Sequence, residues 1–296
     1  MPKLFQSLYT IFCFFLWITG MPWLIRELFA RHKITIINYH NPSPEIFSRH
    51  MSLFSQLYSF ISIDQLTAAL KSKDFSSLPP KSLLVTIDDG YADNYRLLAI
   101  ISSLSIPVAI YVVAGVVDTN RRCWFDLFPH SGETMRYLKS LTDTQRRQWL
   151  KLHLNHSDEK EYNSPSLLSA QQLHTLLKAG CTIGSHSLFH PLLDKCSERV
   201  GLNECKTSKV LLERFLHTDI IHFALPNGNG NNNVRRWIVT SGYLTCRTTT
   251  PGWVTQNSDL LLLPTFGIDD NANSFKARLQ ACGIWWFLKP LLSHLT

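Results

Sequence analysis

The sequence predicts an α/β fold in one principal domain, barrel-like or open-sheeted, in which short parallel strands alternate with helices. Three observations predict it. Apolar, β-branched runs recur along the chain, and each is followed by a stretch with helical periodicity. The runs are apolar throughout rather than alternating, as parallel strands covered on both faces require. Two of them empty directly into residues able to do chemistry, at the strand ends where such folds build their sites. With 296 residues, 45% hydrophobic and 17% charged, the chain can bury a large core, which excludes disorder, collagen and coiled coil.

The elements follow in order. Between Lys3 and Arg26 lie 22 uncharged residues, Leu4 to Ile25, long enough to cross a bilayer and followed by no small-residue cleavage pattern. They are read as an N-terminal hydrophobic helix that holds the protein at a membrane, either spanning it or lying in its interface with Trp17, Trp23 and Phe29 at headgroup depth. The chain thus divides into a membrane-associated segment, 1–30, and a domain, 31–296.

Residues 33–40 then read as a buried strand, 47–57 as a helix, and Ser62 with Gln65 as a capping box opening a helix through Leu70. A strand at 82–87, a helix over 94–104 and a strand at 107–113 complete a strand, helix, strand unit. Residues 118–165 are polar and poorly periodic, an excursion from the sheet with one short helix over 144–154. Ser169 and Gln172 cap the next helix, which ends at Gly180 and leads into a strand at 182–184. A long helix over 200–216, a strand at 220–225, an Asn/Gly loop at 227–233, a helix over 234–240 and strands at 244–248 and 260–263 follow. The apolar run 285–292 is too short to span a bilayer and reads as a docking helix or a second interfacial contact.

Composition narrows function. Formal charge is +7, but Lys and Arg are scattered rather than blocked, so no nucleic-acid partner is expected. Seven cysteines without a CxxC pair suggest free core thiols and no thiolate zinc site. There is neither a dinucleotide glycine fingerprint nor a phosphate loop.

Chemistry concentrates in two places. Asp88 and Asp89 end a strand, and Gly90 lets the chain turn sharply. Adjacent side chains on a strand point opposite ways, so both carboxylates can face one site only where the strand is breaking. Close carboxylates repel unless a cation or shared proton intervenes, which suits one as a metal ligand and the other as a base. His186 and His190 sit four apart after another strand, a spacing that puts two imidazoles on one side, and Pro191 argues for a turn there. Brought to one sheet edge, an Asp and two His leave an open coordination position for water.

At these residues the chain resembles the NodB-type polysaccharide deacetylases of carbohydrate esterase family four. Thr86-Ile87-Asp88-Asp89-Gly90 resembles the family's Thr-Phe-Asp-Asp-Gly motif, and His186-Ser187-Leu188-Phe189-His190 its His-Ser/Thr-x-x-His motif. Tyr39-His40, Tyr91 to Tyr95, Ser208 to Glu213, Phe223-Ala224-Leu225-Pro226-Asn227-Gly228 and Ser241-Gly242-Tyr243 add matches in order, over about residues 34–279. The resemblance is to the bacterial exopolysaccharide and glycan-modifying branch. It implies a distorted (β/α) barrel of the NodB-homology type and metal-dependent hydrolysis of N-acetyl groups on a glycan or lipid-linked sugar. Position by position it makes Asp88 the general base and Asp89, His186 and His190 the ligands of a divalent ion, zinc first, with cobalt, nickel or manganese as alternatives. It marks Pro226, Asn227 and Gly228 as the oxyanion region, and with the hydrophobic N-terminus it places the protein at the bacterial inner membrane.

Departures accompany the matches. The family's later Leu-His motif has no counterpart, and Leu263-Pro264-Thr265-Phe266 stands where relatives carry Leu-Pro-Arg-Ile, so an arginine is lost. His40, His222 and Asp269 are the candidates for a supporting or acid role, and Trp124 and Trp253 for stacking on sugar rings. The alternative these departures suggest is a catalytically weakened glycan-binding or assembly protein of a polysaccharide-synthesis system.

Overall fold

The computed structural model describes residues 14–16, 18–128 and 132–292. Among these described residues eight strands, β1 (Thr35–Tyr39), β2 (Ser59–Phe60), β3 (Ser82–Ile87), β4 (Val108–Val112), β5 (Thr182–Ser185), β6 (His222–Ala224), β7 (Thr245–Arg247) and β8 (Phe266–Gly267), form one sheet. Every pairing is parallel, in the order β7-β6-β5-β4-β3-β1-β8 with β2 beside β3. The expected barrel is therefore a curled half-barrel with β7 and β8 as its edges. The expected strand at 260–263 is a turn ending in a single bridge from Leu263 to Arg247. Pro264 follows at once and has no N–H to extend a ladder, so the strand comes later, at Phe266–Gly267.

The strands are apolar on both faces because both are buried. Ile37 and Tyr39 of β1, Val85 and Ile87 of β3 and Ile110 and Val112 of β4 pack in one cluster with the surrounding helices. Their alternates, Ile36, Leu84, Ala109 and Tyr111, fill the inside of the curl with Val254 and Leu263. Among the described residues, the helices that flank the sheet are α1 (Pro44–Ser55), α2 (Ile63–Ser72), α3 (Leu98–Leu104), α4 (Glu133–Ser140), α5 (Asp143–Leu154), α6 (Ala170–Lys178), α7 (Glu198–Leu216), α8 (Asn232–Thr240), α9 (Ser274–Ala281) and α10 (Ile284–Leu292). The boxes at Ser62/Gln65 and Ser169/Gln172 form as read, and Thr142/Gln145 makes a third. The excursion carries α4 as well as the expected α5.

The N-terminal hydrophobic helix is not borne out. Among the described residues no helix is long and apolar enough to cross a membrane. Residues 4–13 and 17 of the expected span lie outside the described residues, and in the remainder Gly20 takes a left-handed φ of 72° that stops the helix. A four-residue helix, Met21–Leu24, and a π-helical turn, Ile25–Phe29, follow. Leu16 and Ile25 pack on Leu279, Cys282, Ile284 and Trp285, and the Phe14 ring meets Phe275 edge-on at 5.3 Å. Arg26 is buried and binds Glu27, which also binds Lys81. The segment thus packs against the C-terminal helices, and with it the membrane as a partner and the inner-membrane location lose their support.

Candidate metal centre and catalytic site

The site lies at the C-terminal edge of the sheet. Asp88 still follows the strand, its N–H donating to the Tyr39 carbonyl, but Asp89 turns to φ 68° and Gly90 to φ 76°. This breaks the alternation that would send the two carboxylates to opposite faces. Only glycine suits position 90, since a Cβ there would stand 3.1 Å from both Val112 methyls. Two strands away, the His186 N–H extends β5 by donating to the Val112 carbonyl. The chain then reverses through Ser187 (φ 66°) and His190 (φ 55°), a turn rather than a helix, with the Ser187 hydroxyl accepting from the His190 N–H at 3.0 Å. Glu204 on α7 accepts from the Leu188 and Phe189 N–H groups at 3.0 and 2.8 Å. Beneath the turn, Ser185, Ser208 and Tyr243 form a buried hydroxyl chain, which accounts for two of the outlying motif matches, those at Ser208 and Tyr243.

Asp89, His186 and His190 converge. Asp89 Oδ1 lies 3.5 Å from His186 Nε2 and 3.6 Å from His190 Nε2, and one ligand atom from each residue falls within 4.8 Å of the others. A carbonyl only accepts, so the His186 contact with the Ala224 oxygen at 2.9 Å puts the proton on Nδ1 and leaves Nε2 as a lone-pair donor. Asp89 Oδ1 is buried and has no hydrogen-bond partner. An orphaned carboxylate oxygen between two imidazole nitrogens is the donor set a divalent cation of the zinc class takes, so the residues present fit the implied metal.

The electrostatics agree. Burial, and then the Asp88 charge, push the Asp89 carboxyl well above its ordinary range. Burial lowers His186 to about 4 and holds His190 well below its ordinary value, so both imidazoles are neutral and ready to ligate at neutral pH. Asp88 behaves oppositely. Burial would raise it, but the Arg247 guanidinium, with His186 and His40, outweighs burial and holds the carboxyl below the carboxylate range.

Arg247 is the functional residue that sequence reasoning missed. From the end of β7 its Nη2 binds both oxygens of Asp88, while Asn38 on β1 donates to Asp88 Oδ2 at 3.0 Å and is itself held by the Thr86 hydroxyl. Thr265, at the position of the lost arginine, is buried with its hydroxyl unpartnered. The bridge from Arg247 to Leu263 sets the two stretches side by side, so a guanidinium is still delivered from this edge of the sheet. A search for unassigned cations at strand ends would have found it.

The other candidates separate by place. Asn227 lies in a left-handed conformation at the end of β6; Pro226 has no N–H and Gly228 gives its own to Leu225, so the Asn227 amide is the donor left in that segment. His40 follows β1 at the same edge, exposed. Asp269 is tied to Lys276. His222 begins β6 at the far end of the sheet, pinned between Thr245 and Asp64. Trp124 is buried, its indole N–H donating to the His190 carbonyl at 2.9 Å, and Trp253 packs on Phe266 and Phe287 next to the start of β1. Neither tryptophan face is offered to a sugar at the metal site.

The model of the polysaccharide deacetylase family matches residues 76–245, more than half of the chain, a stretch that includes Asp88, Asp89, His186 and His190. The chain belongs to that family. Among solved structures it is similar to the Streptococcus pyogenes deacetylase PplD, determined in complex with acetate, at 19% identity over 84% of this chain and 98% of that one, with a TM-score of 0.62. It is also similar to IcaB from Ammonifex degensii, at 19% identity over 84% and 97% of the two chains, with a TM-score of 0.60. These likenesses establish the deacetylase fold. No curated protein matches the chain.

Proposed function

We propose that this polysaccharide deacetylase hydrolyses N-acetyl groups on a glycan or lipid-linked sugar, with Asp88 as general base and Asp89, His186 and His190 as metal ligands. The observation that carries the reading is the convergence of those three ligands beside a separately held carboxylate. A divalent cation bound there lowers the pKa of water and polarises the acetyl carbonyl. Asp88, kept ionised by Arg247, accepts the proton of the attacking water. In this reading the Asn227 N–H, the donor left in its segment, donates to the oxygen that gains negative charge. When the carbon–nitrogen bond breaks, the amine takes a proton and acetate leaves. Of the acid candidates, His40 is the one at this edge whose side chain is free to approach substrate. Acetate, which accompanies the Streptococcus pyogenes structure, is the acid such a reaction releases.

Asp88→Asn is expected to retain metal while turnover falls by ~100-fold or more, the size of losing a general base. Metal analysis and acetate release from N-acetylhexosamine oligomers and lipid-linked sugars read both outcomes. A wild type that holds metal but frees no acetate from any of them would favour the glycan-binding reading instead.

A further inference from the structure

Helix α4 in the excursion belongs to no family motif, yet it touches both walls of the site. Its Leu138 packs in one cluster with Trp124 and Phe125. Trp124 donates to the His190 carbonyl, and the Phe125 ring stands 4.4 Å from the His190 ring. That is the first wall. The next residue, Lys139, crosses to the other side, where its Nζ donates to Asn227 Oδ1 at 2.7 Å. Asn227 follows the Ala224 carbonyl that holds His186 by three residues. The two walls that touch the two metal histidines are therefore joined by a hydrogen bond between residues 88 apart in sequence.

We propose that Lys139 is a positioning residue for the reaction: by holding the Asn227 side chain it fixes the backbone N–H of Asn227 toward the oxygen that becomes negative. The role rests on the oxyanion reading given above. The loop's other restraints are backbone ones, among them the Gly228 N–H donating to the Leu225 carbonyl at 2.8 Å. Asn227 sits at φ 57°, its carbonyl accepts from the Thr249 hydroxyl at a long 3.3 Å, and the 3-10 turn from Pro226 to Gly228 is a single turn. Without the Lys139 contact the amide loses its side-chain anchor, and an oxyanion donor acts only if its direction is set beforehand. Lys139 is itself half-buried, and burial lowers its pKa, the mark of an amine drawn in from solvent.

The test is a double-substitution cycle on the full chain with metal bound, comparing Lys139→Met, Asn227→Gly and the pair; glycine tolerates the left-handed backbone that Asn227 adopts. Each single change is expected to lower kcat at least tenfold with KM, metal affinity and thermal midpoint little changed, and the pair to lose no more than the worse single. Lys139→Arg, which keeps a donor, should recover part of the loss. A purely structural staple would instead lower the thermal midpoint and leave kcat per metal-loaded chain intact. That outcome, or losses that multiply in the pair, overturns the role while the deacetylase reading stands. A wild type inert on every acetylated sugar overturns the reading itself, and the role with it.

Discussion

At the scale of single residues, the decisive relation is between Asp88 and Arg247. Asp88 is buried and adjoins Asp89, a setting that would protonate an isolated carboxyl. Arg247 prevents that: its Nη2 binds both oxygens while its Nη1 donates to the Thr248 carbonyl, two separated donors that a single Lys ammonium does not supply. Arg247→Met therefore leaves a buried carboxylate without its cation and should cost about 3–5 kcal/mol of stability, with metal binding retained and acetate release lost. Urea unfolding beside an activity assay checks this, and Arg247→Lys should recover only part of either. The aspartates and histidines were legible in the sequence because each pair is local and marked by a strand end. Arg247 could be read only as a cation at a strand end; its pairing could not, since the partner lies 159 residues away and nothing near it in sequence signals the contact.

At the scale of elements, the metal turn between His186 and His190 is held from behind by α7. Glu204 caps two of its N–H groups and pairs with Arg147 on α5, so the excursion, the long helix and the ligand turn form one unit. Burial raises the Glu204 carboxyl to about 7 against the opposing pull of those N–H groups and Arg147. Its role is acceptance, not charge. Glu204→Ala should accordingly weaken metal affinity by about 10–100-fold, as loss of a group that orients ligands does, and Glu204→Gln should restore most of it; chelator competition reads both. The same helix meets α8 at Gly201, where a Cβ would fall 2.1 Å from the Trp237 ring. Gly201→Ala should destabilise by about 1–3 kcal/mol in thermal unfolding through overpacking, without altering metal affinity in the folded fraction. Helix α7 was legible from its periodicity, whereas α4 was hidden in a polar excursion. The N-terminal run was misread because an apolar stretch looks alike whether lipid or protein covers it; Gly20 and Pro22 are visible in the sequence, but the contacts with Leu279 and Trp285 exist only in three dimensions.

At the scale of the molecule, the parallel sheet gathers residues from separate strand ends, Asn38, Asp88, His186 and Arg247, onto one edge. Burial also makes the fold acid-sensitive away from the site. His50, held between Tyr39 and the Ala272 carbonyl, and His156, held by Tyr162, both have pKa values lowered by burial, His156 to about 4. A histidine depressed from its unfolded value of about 6.5 contributes stability that is complete above that pH and is lost as pH falls from there toward 4. Urea midpoints should therefore drop between pH 7 and pH 5, and His156→Gln should flatten that drop. The central claim, that one cation held by Asp89, His186 and His190 works with Asp88 to free acetate, is tested most directly by titrating zinc into chelator-stripped protein while measuring acetate release from N-acetylated oligosaccharides. Release should be absent at first and rise to a plateau at one ion per chain; release that is already full without metal, or none at one bound ion per chain, would contradict it.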